Sequence, residues 1–192
     1  MTKQSIVLEL QQLASDSDKN ILDLLRKAFL VATKLNLVEF KQWVQNELNG
    51  YKGGDLPPYR QVYAQVKWRN PYHGLLPIGF PDKDLERTIS TVPISDSVSG
   101  LYDLIENKNP TDVLYMQMPF EAQRMVSSML ESPFNNVEIY WVLQRSQIVE
   151  ILDIVRNTIL EWALRLEGEG ILGDGISFSE GEKQKASSST II

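Results

Sequence analysis

Apolar residues keep the longest rhythm of this chain between residues 146 and 167. Ile148, Leu152, Val155, Ile159, Trp162 and Leu166 recur at alternating steps of four and three, which aligns them along one side of an α-helix. Glu150, Asp153, Asn157, Glu161 and Arg165 occupy the opposite side. Ser146 suits an N-cap, and Gly168 and Gly170 offer the left-handed backbone that ends a helix. Val149, Ile151, Ile154, Leu160 and Leu164 widen the apolar arc beyond a coiled-coil seam. The width predicts a central core helix, with a coiled coil or subunit contact as the alternative. Leu160 and Leu164 lie about a quarter-turn or more from the centre of the stripe and are the residues expected to meet another subunit. Arg156, a guanidinium within this apolar helix, suits either an ion pair with Asp153 or Glu150 or a recognition role at such an interface, the ion pair being the plainer reading.

Earlier in the chain the first fifty residues read as three helices. Ile6, Leu10 and Leu13 form a short stripe; Ile21, Leu24, Leu25, Ala28, Val31, Ala32 and Leu35 form a stronger one behind the cap-prone run Ser15, Asp16, Ser17 and Asp18. Asn36 followed by Glu39 reads as a capping box for a third helix that carries Trp43, Val44, Glu47 and Leu48 and closes at Gly50. The stretch from Tyr51 to Tyr59 breaks the helical period, and Val62, Ala64, Val66 and Trp68 then alternate with Tyr63, Gln65 and Lys67 as in a strand with one buried face. A turn at Asn70, Pro71, Tyr72, His73 and Gly74 leads to a second strand over residues 75–80, which Pro77 directs to a sheet edge.

A short acidic helix over residues 82–90 and a better one over 96–107 follow, the latter with Val98, Leu101, Leu104 and Ile105 on one face and stopped by Asn109 and Pro110. Residues 111–118 read as a third strand, 120–130 as a helix with Met125, Val126 and Met129 inward, and Val137, Ile139, Trp141 and Leu143 as a fourth strand running into the long helix. The class is therefore α+β: N-terminal helices, a small, mostly antiparallel sheet of about four strands, and a long C-terminal helix. Length suits one domain over residues 1–178, and residues 179–192, rich in acids and serine and without periodicity, read as a flexible tail.

The chain has no cysteine and one histidine, so disulfides, thiolate metal sites and a cysteine nucleophile are excluded and the common zinc ligand sets are missing. No metal or cofactor is expected. A formal charge of −6 argues against general affinity for nucleic-acid backbones. Half of that excess falls at the end, where residues 167–192 hold five acids against two lysines, while residues 1–50 balance six against six. No apolar run is long enough to span a membrane and no signal-like leader stands at the start, so a cytoplasmic, reducing setting is expected.

Candidate chemistry is sparse. Arg69, Tyr72 and His73 superficially follow the arginine and histidine pairing of helical ribonucleases, but Asn70, Pro71 and Gly74 enforce a turn where those enzymes use a helix, and a self-satisfied turn residue is the plainer reading of His73. Asp82 with Glu106 and Lys108 can be set against the acid, then Glu-x-Lys pattern of metal nucleases, yet Glu106 falls at a predicted helix end instead of a central strand. Phosphate loops, dinucleotide fingerprints and serine-hydrolase elbows are absent; Gly50, Gly53 and Gly54 lack the following lysine and helix. Trp43, Trp68, Trp141 and Trp162 each take the inward phase of their segment, which favours packing over a stacking platform.

Several segments together resemble the AbiTii domain family: IVLEL at Ile6, LLRKA at Leu24, ELNGY at Glu47, NPYHG at Asn70, VRN at Val155, WAL at Trp162 and EGILG at Glu169, in order across residues 5–183. The resemblance implies a bacterial protein associated with abortive infection or related antiphage defence. It brings no assigned catalytic residues. Gly50, Gly74, Pro71 and Trp162 read as architectural within these motifs. The expected function is a non-enzymatic defence module that assembles with itself or with a defence-system partner to sense infection or present an effector. The alternative is a nuclease-like toxin acting on host RNA or DNA.

Overall fold

The computed structural model describes residues 4–53, 56–106, 112–129 and 137–188. The described residues of Met1–Asp55, Ser95–Glu106 and Glu150–Ile192 form a helical unit, and those of Leu56–Ile94 and Asn107–Val149 a β-rich one. Gly54, Asn107, Lys108, Asn109, Pro110, Thr111, Leu130 and Thr190 lie outside the described residues, as does the side chain of Met129.

In the helical unit, α1 (Ile6–Ser15) is capped by Ser5, whose Oγ accepts from the Leu8 N–H at 3.3 Å. Helix α2 (Ile21–Lys34) starts at Asn20, which accepts from Leu22, and not within the serine and aspartate run, where Asp16 instead accepts from the Asp18 N–H in a tight turn. Asn36 corrects a second boundary. Its φ of 56° is left-handed, and Leu37 and Asn36 donate to the carbonyls of Ala32 and Thr33, so Asn36 closes α2 from behind. An N-cap needs extended backbone, and α3 (Val38–Asn49) accordingly begins after Leu37 with no side-chain cap. Helices α1, α2 and α3 pack in succession, and α5 (Val98–Glu106) lies against α2 and α3 with Val98 and Leu101 buried and Leu104 exposed.

Helix α7 (Arg145–Gly168) matches the expected long helix. Every member of the predicted stripe is buried: Ile148, Leu152, Val155, Ile159, Trp162 and Leu166. Each aliphatic side chain so removed from water contributes about 1.5–3 kcal/mol. The Gln147 side chain, and not Ser146, closes the start by accepting from the Gln144 N–H at 2.8 Å, the reach-back half of a capping box. At the other end Gly170, with φ 70°, donates to Glu167 while the buried Ile171 donates to Leu166. This pairing is a Schellman stop, and it terminates the helix.

The expectation of an unstructured tail from Ser179 is corrected by α8 (Glu180–Ser188). Ser179 Oγ accepts from the Glu182 N–H, and the Glu182 carboxylate accepts from the Ser179 N–H and hydroxyl, a complete capping box that hydrophobic periodicity does not register. Its other oxygen accepts from the Leu172 and Gly173 N–H groups at 3.0 and 2.8 Å, so one carboxylate ties α8 to the turn before it.

In the β-rich unit the strands are β1 (Gln61–Tyr63), β2 (Gln65–Asn70), β3 (Gly74–Pro77), β4 (Thr91–Pro93), β5 (Val113–Gln117) and β6 (Ile139–Gln144). The order β3-β2-β6-β5 forms a four-stranded antiparallel sheet, and β1 pairs with β4 separately. The predicted strand through Val62 and Trp68 is thus divided at Ala64 while its alternation survives, Val62, Ala64 and Val66 all being buried. The division has a local cause: Ala64 donates to the Ser90 carbonyl, and the Gln147 amide donates to the Tyr63 carbonyl, taking the backbone out of one continuous ladder. Helices α4 (Lys83–Ser90), capped by Asp82, and α6 (Phe120–Met129) complete the unit. Ile89 and Val126 join Val66, Met118, Val137 and Ile139 in its core, with Trp68 and Trp141 packed against them; Met125, expected inward, is exposed.

Candidate functional site

Helix α7 buries its stripe and leaves one flank uncovered. Leu164 is 49% exposed, and together with Leu160, Leu8, Gln11, Gln12 and Ser15 it lines a shallow groove of about 390 Å³ between α7 and α1. The groove is held in shape by Gln11, whose amide donates to the Ala163 carbonyl and to Glu167 at 3.3 and 3.0 Å. Leu160 and Leu164 are one turn apart, so their side chains stack along one line on this surface.

Arg156 takes a third role, neither of the two expected. Its Nη1 donates to the carbonyls of Leu13 and Asp16 at 2.8 and 3.0 Å, and its Nη2 to that of Lys19 at 2.7 Å. The α1 C-terminus and the turn after it carry carbonyls without helical partners, and a planar guanidinium can serve several at once. Neither Asp153 nor Glu150 pairs with Arg156 among the described residues. Three of its five N–H donors are thus engaged inside the unit.

The β2–β3 hairpin carries Arg69, Tyr72 and His73. Arg69 pairs with Glu138 at 2.9 Å, lies over the Tyr140 ring at 5.3 Å and donates to the Tyr140 hydroxyl. Asn70 accepts from the N–H groups of Tyr72 and His73 at 2.9 and 3.0 Å, folding the tip into an Asx turn that leaves both side chains exposed. No hydrogen bond joins the His73 imidazole to Arg69 or Tyr72 among the described residues.

Asp82 is engaged as the cap of α4, accepting from the Leu85 N–H at 3.0 Å. Glu106 accepts a hydrogen bond from Tyr102; that bond, and then the charge of Glu106, pushes the phenol above its usual range. Lys108, the third member of that pattern, lies outside the described residues. No group of three or more His, Asp or Glu side chains that could hold a metal ion gathers among the described residues. Among them, too, no helix is long and apolar enough to cross a membrane.

A family model described as AbiTii matches residues 5–191, nearly the whole chain. The chain belongs to the AbiTii family. That membership associates it with abortive-infection antiphage defence. No curated protein and no solved structure matches it.

Of the segments that resemble the family, ELNGY, NPYHG and EGILG lie at the ends of elements, whereas LLRKA, VRN and WAL lie inside α2 and α7. In ELNGY, the Tyr51 hydroxyl donates to the wholly buried Glu47 at 2.6 Å, and Gly50 takes a φ of 81°. In NPYHG, Asn70 holds the turn and Gly74 is left-handed. In EGILG, Gly170 stops α7. In WAL, Trp162 stacks on Phe40 with centroids 3.9 Å apart. The buried charges carry little signal in the sequence: Glu47 is one position of a helical stripe, and Arg60, wholly buried with its Nη1 on the Ile94 carbonyl, follows two prolines without any periodic pattern.

Proposed function

We propose that this AbiTii chain is a non-enzymatic module of antiphage defence that assembles through the α1–α7 groove, with Leu160 and Leu164 meeting a second copy of the chain. The carrying observation is the apolar pair itself: Leu164 is half exposed beside Leu160 and Leu8, on a helix whose opposing stripe is already buried. A C2 contact would bring the same groove together from both copies, burying the leucines against one another. The engagements of Arg69 with Glu138, of Asp82 with the α4 backbone and of Glu106 with Tyr102 support the non-enzymatic reading, since each group already has a structural task. Assembly in the bacterial cytoplasm would then sense infection or present an effector.

Sedimentation equilibrium over a range of concentrations tests the proposal. The parent chain should self-associate, and Leu160→Asp or Leu164→Asp should give a folded, smaller species with reduced protection in a plaque assay. A parent that stays monomeric at tens of micromolar would overturn it. Loss of growth inhibition in a folded His73→Ala variant with intact assembly would replace it with the nuclease-like reading.

A further inference from the structure

A second depression in the helical unit, of about 290 Å³, lies beside α3 and α7 and is lined by Phe40, Trp43, Trp162, Glu39, Glu161 and Arg165 among others. Its composition differs from that of the leucine groove. Phe40 and Trp162 stack nearly parallel at 10°, and Trp43 tilts against Phe40 with centroids 5.2 Å apart, giving an aromatic wall. Two carboxylates and one guanidinium stand on exposed positions around that wall. Glu161 and Arg165 have the spacing of a helical ion pair, yet no salt bridge engages Glu39, Glu161 or Arg165 among the described residues. Trp162 is only 4% exposed, and its indole N–H has no acceptor among the described residues.

We infer that this cleft binds a basic side chain of the arginine class, presented by a protein segment. Two features of the occupant follow from the wall and the rim. A guanidinium is attracted to the faces of indole and phenyl rings and stacks on them. The excess of one carboxylate over the single arginine favours a cation, and a nucleotide phosphate would meet that excess with repulsion. The volume is near the lower end of ligand pockets, roughly 300–1,000 Å³, and suits one side chain with its peptide unit.

The probe is N-acetyl-arginine methylamide, titrated into the full chain while the indole N–H resonances are followed by NMR. Assignment comes from Trp43→Phe, Trp68→Phe and Trp141→Phe, which leave Trp162 by elimination. The Trp162 resonance should shift and saturate, and the uncharged N-acetyl-norleucine methylamide should bind at least about tenfold more weakly. Glu39→Gln combined with Glu161→Gln changes only exposed side chains and should weaken the arginine probe about tenfold, whereas Arg165→Gln should leave it equal or tighter. Equal binding of the norleucine analogue would reduce the cleft to an apolar hollow and overturn the inference. So would an unmoved Trp162 resonance, or binding of adenosine monophosphate that Arg165→Gln abolishes. Leu164→Asp should bind the probe as the parent does, which separates this site from the assembly groove.

Discussion

At Gly50 an added Cβ would stand 2.9 Å from the Ser95 carbonyl oxygen and 3.3 Å from the Ser97 nitrogen, on a backbone with φ 81°. Both atoms it meets are backbone, so they cannot swing aside. Gly53 is also left-handed, at 69°, but has nothing within 4 Å of that position. Gly50→Ala should therefore cost clearly more than Gly53→Ala, with conformational strain alone of order 1–3 kcal/mol and the collision added to it. Urea unfolding of the two variants measures the difference, and equal midpoints would contradict it. Val155, fully buried on α7, poses the complementary question. Val155→Asp would carry a carboxylate into the core at a cost on the order of several kcal/mol, enough to threaten a domain of ordinary stability. It should yield little folded protein, while Leu160→Asp keeps its fold. A folded Val155→Asp beside an unfolded Leu160→Asp, read by circular dichroism, would reverse the faces assigned here.

Among the elements, α8 depends on a single side chain. Burial pushes the Glu182 carboxyl upward, but hydrogen bonds from Gly173, from the Ser179 N–H and hydroxyl, and from Leu172 outweigh it and hold the group below its ordinary value. A carboxyl lowered in the folded state contributes stability that is complete above its unfolded value and is lost as pH falls through the folded one. Amide protection at Leu172 and Gly173 should therefore hold at neutral pH and fall under acid conditions below the ordinary carboxylate range. Glu182→Gln should flatten that dependence, because an amide carbonyl accepts without titrating. Unchanged protection in acid would show that the turn is held by other contacts. The same element marks a limit of pattern reading. Residues 179–182 spell a capping box in local sequence, whereas α8 buries only Ala186 among its side chains and so offers no apolar period to detect. Asn36 marks another: cap-forming chemistry was legible there, but its φ of 56° decides that it ends α2 and does not start α3.

For the whole molecule, charge is the property that acts at a distance. The chain carries −6, and half of it falls within residues 167–192. Neutralising phosphates requires clustered Lys and Arg, and counterion release then makes the binding strongly salt-dependent. Generic duplex DNA or RNA should consequently not be retained in a mobility-shift assay at about 0.15 M salt. Retention that declined steeply with added salt would mean that tertiary structure gathers the basic residues onto one face. Self-association through the leucine groove should instead be nearly insensitive to salt, because apolar burial drives it.

Periodicity alone determined the α+β class, the extent of α7 to within a residue or two, its buried stripe and the flank where Leu164 is exposed and Leu160 partly buried, since burial follows from which side of a helix a residue occupies. The hairpin and the edge position of β3 were equally legible, through the turn residues and Pro77. Tertiary structure decided what partners do. Ala64 divides one alternating run between two sheets because Ser90 and Gln147, distant in sequence, take up the backbone there. Arg156 meets Leu13, Asp16 and Lys19 across more than a hundred residues, where local spacing pointed only to Asp153 and Glu150. The aromatic cleft likewise joins Phe40 and Trp43 of α3 to Trp162 of α7. A helical or strand period records which face of an element is dry; it holds no information about which other element supplies the dry surface or the hydrogen-bond acceptor.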